Sequence, residues 1–425
     1  MSKIKEIYFS ILYWGFNGYL EVAPAPHKKQ FTAPTAAGKL LRILTRFAAL
    51  PMKSIFYKWK FRKHPPLSAI AGKNVLFIIS PNNRNSLVFL QEMLPNTVVL
   101  ATEQNVKSAS EVPLLYHFDL FRHSVKYFGL KAAFKQEFGS KANLYKDYLF
   151  KATGMYEASL KLLKAHRPNS IIFSNDHSPA PRALLLAAKT LSIPTAYIQH
   201  ASTTPYFPPL SFDLSLLDGP FTREKYEAKG PIQGAVKYIG MPKFERFLQY
   251  RSTKTEVERL GICSNTVDPT DSILELVNTL VNAFPDMEIA YRAHPADLRV
   301  LDLPKQVMLS NSRTENPFDF LKRQDIIVAG NTSIHLEAAL LNVPSAYFRF
   351  GDVRVEVDDY YGFVKKGLIP ATSNSEELIA FVRAQKTARD EVYLRCKPFD
   401  ALVGTKEDGR GAELAGQYLR EFLGV

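Results

Sequence analysis

Two runs of alternating strand-like and helix-like segments constrain this chain more than any other feature. From Gly72 onward, NVLFIIS (Asn74–Ser80), NTVVLAT, SIIFSND (Ser170–Asp176), TAYIQHA (Thr195–Ala201), LSLLDG and VKYIG read as short buried strands. The helical stretches SLVFLQEML and PRALLLAAKTLS lie among them, and a helical region rich in Lys and aromatics covers roughly residues 112–166. The pattern then restarts with ERLGICSN, DSILELVNTLVNAF, EIAYRAH, QVMLSNS, PFDFLKRQ, DIIVAGN, SIHLEAALLN and PSAYFRF. Strands that are apolar along their whole length, separated by helices, belong to parallel sheets covered on both faces. The expected fold is therefore α/β, with two Rossmann-type doubly wound domains facing a cleft. A chain of 425 residues has room for both. The expected domains span residues 67–245 and 246–405, after a basic segment over 1–66. A final helix in 406–425 is expected to return to the first domain.

The charge is unevenly spread. Of a formal net +13, residues 1–66 hold twelve Lys or Arg and two acids, a net of +10, which leaves +3 for the rest. A nearly neutral body argues against a broad nucleic-acid surface. Both tryptophans, Trp14 and Trp59, also lie in the basic segment. IYFSILYWGFNGYL is too short to span a bilayer and lacks a secretory cleavage site. GKLLRILTRFAALPMKSIFYKWKFRK sets Lys and Arg among apolar residues at helical spacing, as in elements that lie on an anionic membrane surface. The alternative is a helix packed on the body with a solvated basic face. Only Cys263 and Cys396 occur, far apart, which excludes a zinc finger or disulfide scaffold and fits a reducing compartment.

Open parallel sheets bind ligands at the carboxyl ends of their strands, and several polar residues follow strands here. Asn331, Thr332 and Ser333 stand where a strand passes into a helix, with free backbone N–H groups and two hydroxyls suited to phosphate. Glu337, one turn on, is suited to ribose hydroxyls. Ordinary helix capping would use the same residues. His294, held extended by Pro295, can donate to a phosphate oxygen or, protonated, offset charge on a leaving group. Arg292 alternates with it along the strand. Asp176, His177 and His200 follow strands of the first half and are alternative candidates for a base acting on an acceptor hydroxyl. Gln199 and Asp218 are further substrate-side candidates.

The chain has no G-x-x-x-x-G-K-[ST] loop, G-x-G-x-x-G, G-x-S-x-G elbow, Asp-x-Asp pair or Cys/His cluster. No metal site and no cofactor are expected. What remains is metal-independent chemistry on a nucleotide sugar.

At these residues the chain resembles a known group. YIQHAS, LLDGPFTREKYEAKG, VKYIGMPKFERF, YRAHP and GNTSIHLEAALLNVPSAYF, in that order, look like bacterial GT-B glycosyltransferases of surface-polysaccharide synthesis. Among these are the CMP-sialic acid and CMP-Kdo transferases of capsule and lipopolysaccharide, and the CDP-glycerol glycerophosphotransferases. The similarity covers roughly residues 165–350. It implies that His294–Pro295 is the His-Pro motif and Thr332–Ser333 the Ser/Thr motif at the donor phosphate. It also makes Glu337 the following helix acid, and Gln199–His200 the Gln-His of the acceptor-side loop. Ala201 stands where that loop often has Gly. The implied function is glycosyl transfer from a nucleotide sugar, CMP-linked, to a glycan or glycolipid acceptor. Its implied setting is cytoplasmic and peripheral to the bacterial inner membrane. A UDP-sugar 2-epimerase of the same shape, or a non-catalytic glycan- or membrane-binding scaffold, are the alternatives.

Overall fold

The computed structural model describes residues 3–13, 49, 51–115, 117–203, 207–350 and 359–425. They form two compact units. The first takes the chain up to Leu217, then Thr222–Tyr238 and Ala412–Val425; the second takes Asp218–Phe221 and Ile239–Gly411.

The first unit is built on β1 (Asn74–Ile78), β2 (Thr97–Ala101), β3 (Val112–Pro113), β4 (Ser170–Phe173), β5 (Thr195–Ile198), β6 (Leu214–Leu217) and β7 (Ala235–Tyr238). Their order across the sheet is β3-β2-β1-β4-β5-β6-β7, every pair parallel. β1, β4, β5 and β6 are buried at every position, which is why they read as unbroken apolar runs. β7, at the edge, alternates between exposed and half-buried residues. Tyr197 and Phe212 stack at 5.0 Å in the core beside Phe173.

The second unit contains β8 (Arg259–Ser264), β9 (Glu288–Ala293), β10 (Met308–Ser310), β11 (Ile326–Ala329), β12 (Ser345–Phe348) and β13 (Ala371–Thr372). They lie in the order β10-β9-β8-β11-β12-β13, again all parallel. The helix Thr270–Ala283 turns Ile273, Leu276, Val277 and Leu280 inward at helical spacing, into one core with Ile262 and Ile289. Both units have the strand order of dinucleotide-binding Rossmann sheets, which reverses direction at β1/β4 and at β8/β11.

Three expectations need correction. The division between the domains is not a simple cut near residue 245, because Asp218–Phe221 belongs to the second unit. Phe221 N–H donates to the Pro398 carbonyl and Ala401 N–H to the Asp218 carbonyl, both at 2.9 Å. A Cβ on Gly219 would lie 2.6 Å from the Phe399 carbonyl carbon, so this close approach needs glycine. The basic segment 1–66 is not a single surface element. Its helix Lys3–Ile11 is docked, with Tyr8, Ile11 and Leu12 in the core of the first unit. Buried Arg182 holds it by donating from Nε to the Ser10 carbonyl (3.1 Å) and from Nη2 to the Ser10 hydroxyl. The third correction concerns the helical region 112–166. It opens with the short strand β3 and then breaks into several helices, of which Lys146–Ala165 is the longest. Of the basic segment, residues 14–48 and 50, Trp14 among them, lie outside the described residues. Among the described residues, no helix is long and apolar enough to cross a membrane.

Candidate functional site

In the second unit, β8 and β11 are neighbours from which the chain departs to opposite sides, so the loops at their carboxyl ends diverge. The first loop begins at Asn265 and the second is Gly330–Ser333. Asn265 Nδ2 donates to the Asn331 carbonyl at 3.2 Å and ties them together. Arg299 braces the first loop, donating from Nη1 to the Asp268 carbonyl (2.5 Å) and from Nη2 to the Asn265 carbonyl (3.0 Å). Its remaining donors grip Asp297. Buried His335 braces the second loop. Its Nε2 lies 2.9 Å from the Gly330 carbonyl, which only accepts, so Nε2 carries the proton and Nδ1 accepts from the Ser345 hydroxyl at 3.0 Å. Burial holds His335 down at about 4, against the opposing pull of the backbone carbonyls.

Within this frame Ser333 does not cap its helix by a side-chain hydrogen bond. Its Oγ instead points to Glu337 Oε1, at 3.5 Å. Thr332 is half-exposed, and its hydroxyl makes no hydrogen bond among the described residues. Burial raises the Glu337 carboxyl, opposed by Lys243, Ser333 and Arg292. Lys243 lies near Asp218 as well, and burial lowers it while the two carboxylates act to raise it. Buried Asp218 is pushed well up by desolvation, with Lys243 opposing and Asp400 adding to the effect. Asp218 is thus part of the second unit's buried charge cluster.

His294 follows β9, the strand beside β8, and is exposed. Ala296 N–H donates to His294 Nδ1 at 3.1 Å, so Nδ1 carries no proton and Nε2–H is the outward donor. Desolvation on the protein side of the ring lowers the imidazole's pKa, with Asp297 opposing. This geometry presents Nε2–H as the donor that a phosphate oxygen would meet. Pro295 stands exposed in this turn, which the Asp297 N–H closes onto the His294 carbonyl at 2.8 Å. Arg292 differs from expectation. It is buried and donates to the Ser310 hydroxyl (2.6 Å) and the Glu315 carbonyl (2.8 Å), and pairs with the Glu315 carboxylate. It fastens β9 to the β10 side of the sheet and also acts electrostatically on Glu337.

In the first unit, Asp176, His177 and His200 come together. Asn175 Oδ1 accepts from the N–H groups of His177 (3.2 Å) and Ser178 (2.9 Å), which shapes the turn after β4. Buried Asp176 accepts from the Tyr226 hydroxyl at 2.6 Å and lies 3.1 Å from His177 Nδ1. A carboxylate only accepts, so His177 donates from Nδ1 and a neutral ring keeps its lone pair on Nε2. Desolvation acts to raise Asp176, but His177 and Tyr226 outweigh it and the carboxyl falls below its usual range. The His177 ring stacks on Phe207 at 4.1 Å and lies 5.8 Å from His200. Gln199 donates to the Ala201 carbonyl and the Thr222 hydroxyl, both at 3.1 Å, and so shapes the loop. Among the described residues, no group of three or more His, Cys, Asp or Glu side chains is placed to hold a metal.

The sequence does not single out Asn265, Asp268, Lys243 or His335. Asn265 had the same signal as the others, a polar residue directly after a strand. Lys243 acts on residues distant in sequence, His335 joins Gly330 to Ser345 only once their strands pair, and Asp268 accepts from the Asn265 N–H within its own turn.

No family model and no curated protein matches the chain. Solved structures do. The UDP-GlcNAc 2-epimerase from Methanocaldococcus jannaschii superposes with a TM-score of 0.53 at 13% identity, over 82% of this chain and 99% of that one. The wall teichoic acid polymerase TagF, soaked with CDPG, gives 0.51 at 9% identity, over 92% and 98%. At such identities the likeness is one of fold. It is the α/β fold of the GT-B class, with two Rossmann-like units.

Proposed function

We propose that this chain is a metal-independent glycosyltransferase that takes a sugar from a nucleotide, CMP-linked, to a glycan or lipid-linked acceptor. The observation that carries the reading is the pair of cross-braced loops at the β8/β11 reversal, with the Thr332 and Ser333 hydroxyls on one and His294 following the adjacent strand β9. Hydroxyls, backbone N–H groups and a neutral imidazole donor suit the phosphate of a leaving nucleotide. Glu337 suits its ribose. The cytidine assignment rests on the His-Pro and Thr-Ser resemblance, and the CDPG soaked into TagF is in keeping with it.

In this reading the first unit holds the acceptor. His177 Nε2 takes the proton of the acceptor hydroxyl, while buried Asp176 positions the ring and stabilises its charged form. The acceptor oxygen bonds to the sugar's anomeric carbon as the bond from that carbon to the phosphate oxygen breaks, and the electron pair leaves with the nucleotide. His294 Nε2–H, Thr332 and Ser333 stabilise that departing charge.

The second reading, a UDP-sugar 2-epimerase, is favoured by the fold shared with the M. jannaschii enzyme. It needs no acceptor. The experiment is a thermal-shift panel of CMP, CDP, UDP, GDP and ADP on wild type and His294→Ala, since a ligand that binds the native state raises its stability. The expected outcome is stabilisation by CMP or CDP, lost in His294→Ala. Turnover in that variant is expected to fall about a hundredfold. Stabilisation by UDP alone, with an epimer as product and no acceptor consumed, establishes the epimerase instead. No shift with any nucleotide, or near-normal turnover in folded His294→Ala, removes the assignment.

A further inference from the structure

The helix over residues 51–60 has one face on the first unit and a second face of unusual composition. Ser54 and Phe61 are buried, and Tyr57 between them stacks on His117 at 5.6 Å, while His117 pairs with Glu103 at 3.1 Å. Just beyond the helix, His64 Nδ1 lies 3.2 Å from the Glu111 carbonyl. The helix is therefore anchored. Yet Met52, Ile55, Phe56 and Trp59 are 70%, 73%, 53% and 64% exposed. Their spacing of three, four and seven residues puts them in one stripe. Lys53, Lys58, Lys60, Arg62 and Lys63 accompany the stripe, and residues 51–66 contain no acid. The Arg62 guanidinium lies 5.2 Å over the Trp59 ring and donates to the Trp59 carbonyl at 3.2 Å, keeping a cation beside the aromatic.

We propose that this stripe is a docking surface for an anionic lipid bilayer. Apolar and aromatic side chains on an anchored helix can enter the headgroup–acyl boundary while long basic side chains reach lipid phosphates. Charge selects this occupant. A second copy would bring the same cluster of cations against this one, whereas an anionic bilayer complements it. The helix would lie along the membrane surface and need not cross it. The proposal does not depend on the nucleotide reading.

The experiment is co-sedimentation of the full chain with vesicles of phosphatidylglycerol and phosphatidylethanolamine, and with vesicles of phosphatidylcholine alone. The expected result is binding at least about tenfold stronger to the anionic vesicles, weakening as salt is raised. Phe56→Glu with Trp59→Glu removes the apolar contact, and Lys58→Glu with Lys60→Glu inverts the charge. Each pair, at exposed positions and with an unchanged melting temperature, is expected to weaken binding by about tenfold or more. Wild-type binding in both variants, or equal binding to the two kinds of vesicle, overturns the proposal. So does a wild type that ignores vesicles but self-associates in sedimentation equilibrium through this face.

Discussion

Two buried titratable groups beside the Gly330–Ser333 turn act on stability in opposite directions. Burial raises Asp268 to about 6, against the Asn265 N–H and Arg299. The folded state thus holds its proton more tightly than the unfolded chain, and the stability this confers is lost as pH rises from about 4 to about 6. His335, held at about 4, does the reverse: the unfolded chain takes the proton first, so stability is lost as pH falls from about 6.5 to about 4. Each effect is on the order of 3 kcal/mol, so together they nearly cancel. Asp268→Asn is expected to leave a stability that climbs with pH between 4 and 6.5, and His335→Gln one that declines. Urea unfolding across that range measures both, and parallel profiles for all three proteins would refute the assignment. His294, Thr332 and Ser333 were visible in the sequence because they directly follow strands. His335, mid-helix in SIHLEAAL, was not, since its partners Gly330 and Ser345 meet it only after β11 and β12 pair.

Packing between elements depends on individual residues that local pattern does not reveal. Gly154, inside the helix Lys146–Ala165, lies against the helix His117–Ser124 so closely that a Cβ there would sit 2.4 Å from the Leu120 carbonyl oxygen and 2.1 Å from Ser124 Oγ. A backbone atom cannot move aside alone, so Gly154→Ala should drive the helices apart at a cost of about 1–3 kcal/mol. Gly129, also helical, has nothing within 4 Å of such a Cβ. Gly129→Ala should therefore raise stability by up to about 1 kcal/mol, through helix propensity alone. Thermal melts of the two variants decide the matter, and equal shifts would contradict the close crossing. In the sequence both glycines sit in a region read only as helical, because spacing along one helix carries no information on how near its neighbour comes.

Across the whole chain, order in sequence and order in space part company. The helix Gly411–Leu423 comes after the last element of the second unit, yet residues 412–425 belong to the first. Ala415 and Leu419 are fully buried, Arg420 donates to the Met93 carbonyl at 3.1 Å, and Lys237 lies 5.3 Å over the Tyr418 ring. Removing residues 411–425 should raise hydrogen exchange in Leu90–Met93 and β7 and leave β8 and β11 protected. Exchange rising first in β8 and β11 would show the helix serving the other unit.

Read alone, the sequence determined the α/β class, the two sheets, most of the strands and the strand-end positions of His177, His294 and Ser333. Those features depend on period and polarity, which are local and survive in a linear string. Tertiary structure decided the rest. It set the strand order that makes β8 and β11 neighbours and turned Arg292 into a structural ion pair with Glu315. It also moved Asp218–Phe221 into the second unit and made a neutral Nε2–H donor of His294. Each of these depends on burial or on a hydrogen bond whose geometry the linear string does not carry, and such arrangements exist only once the sheets have formed.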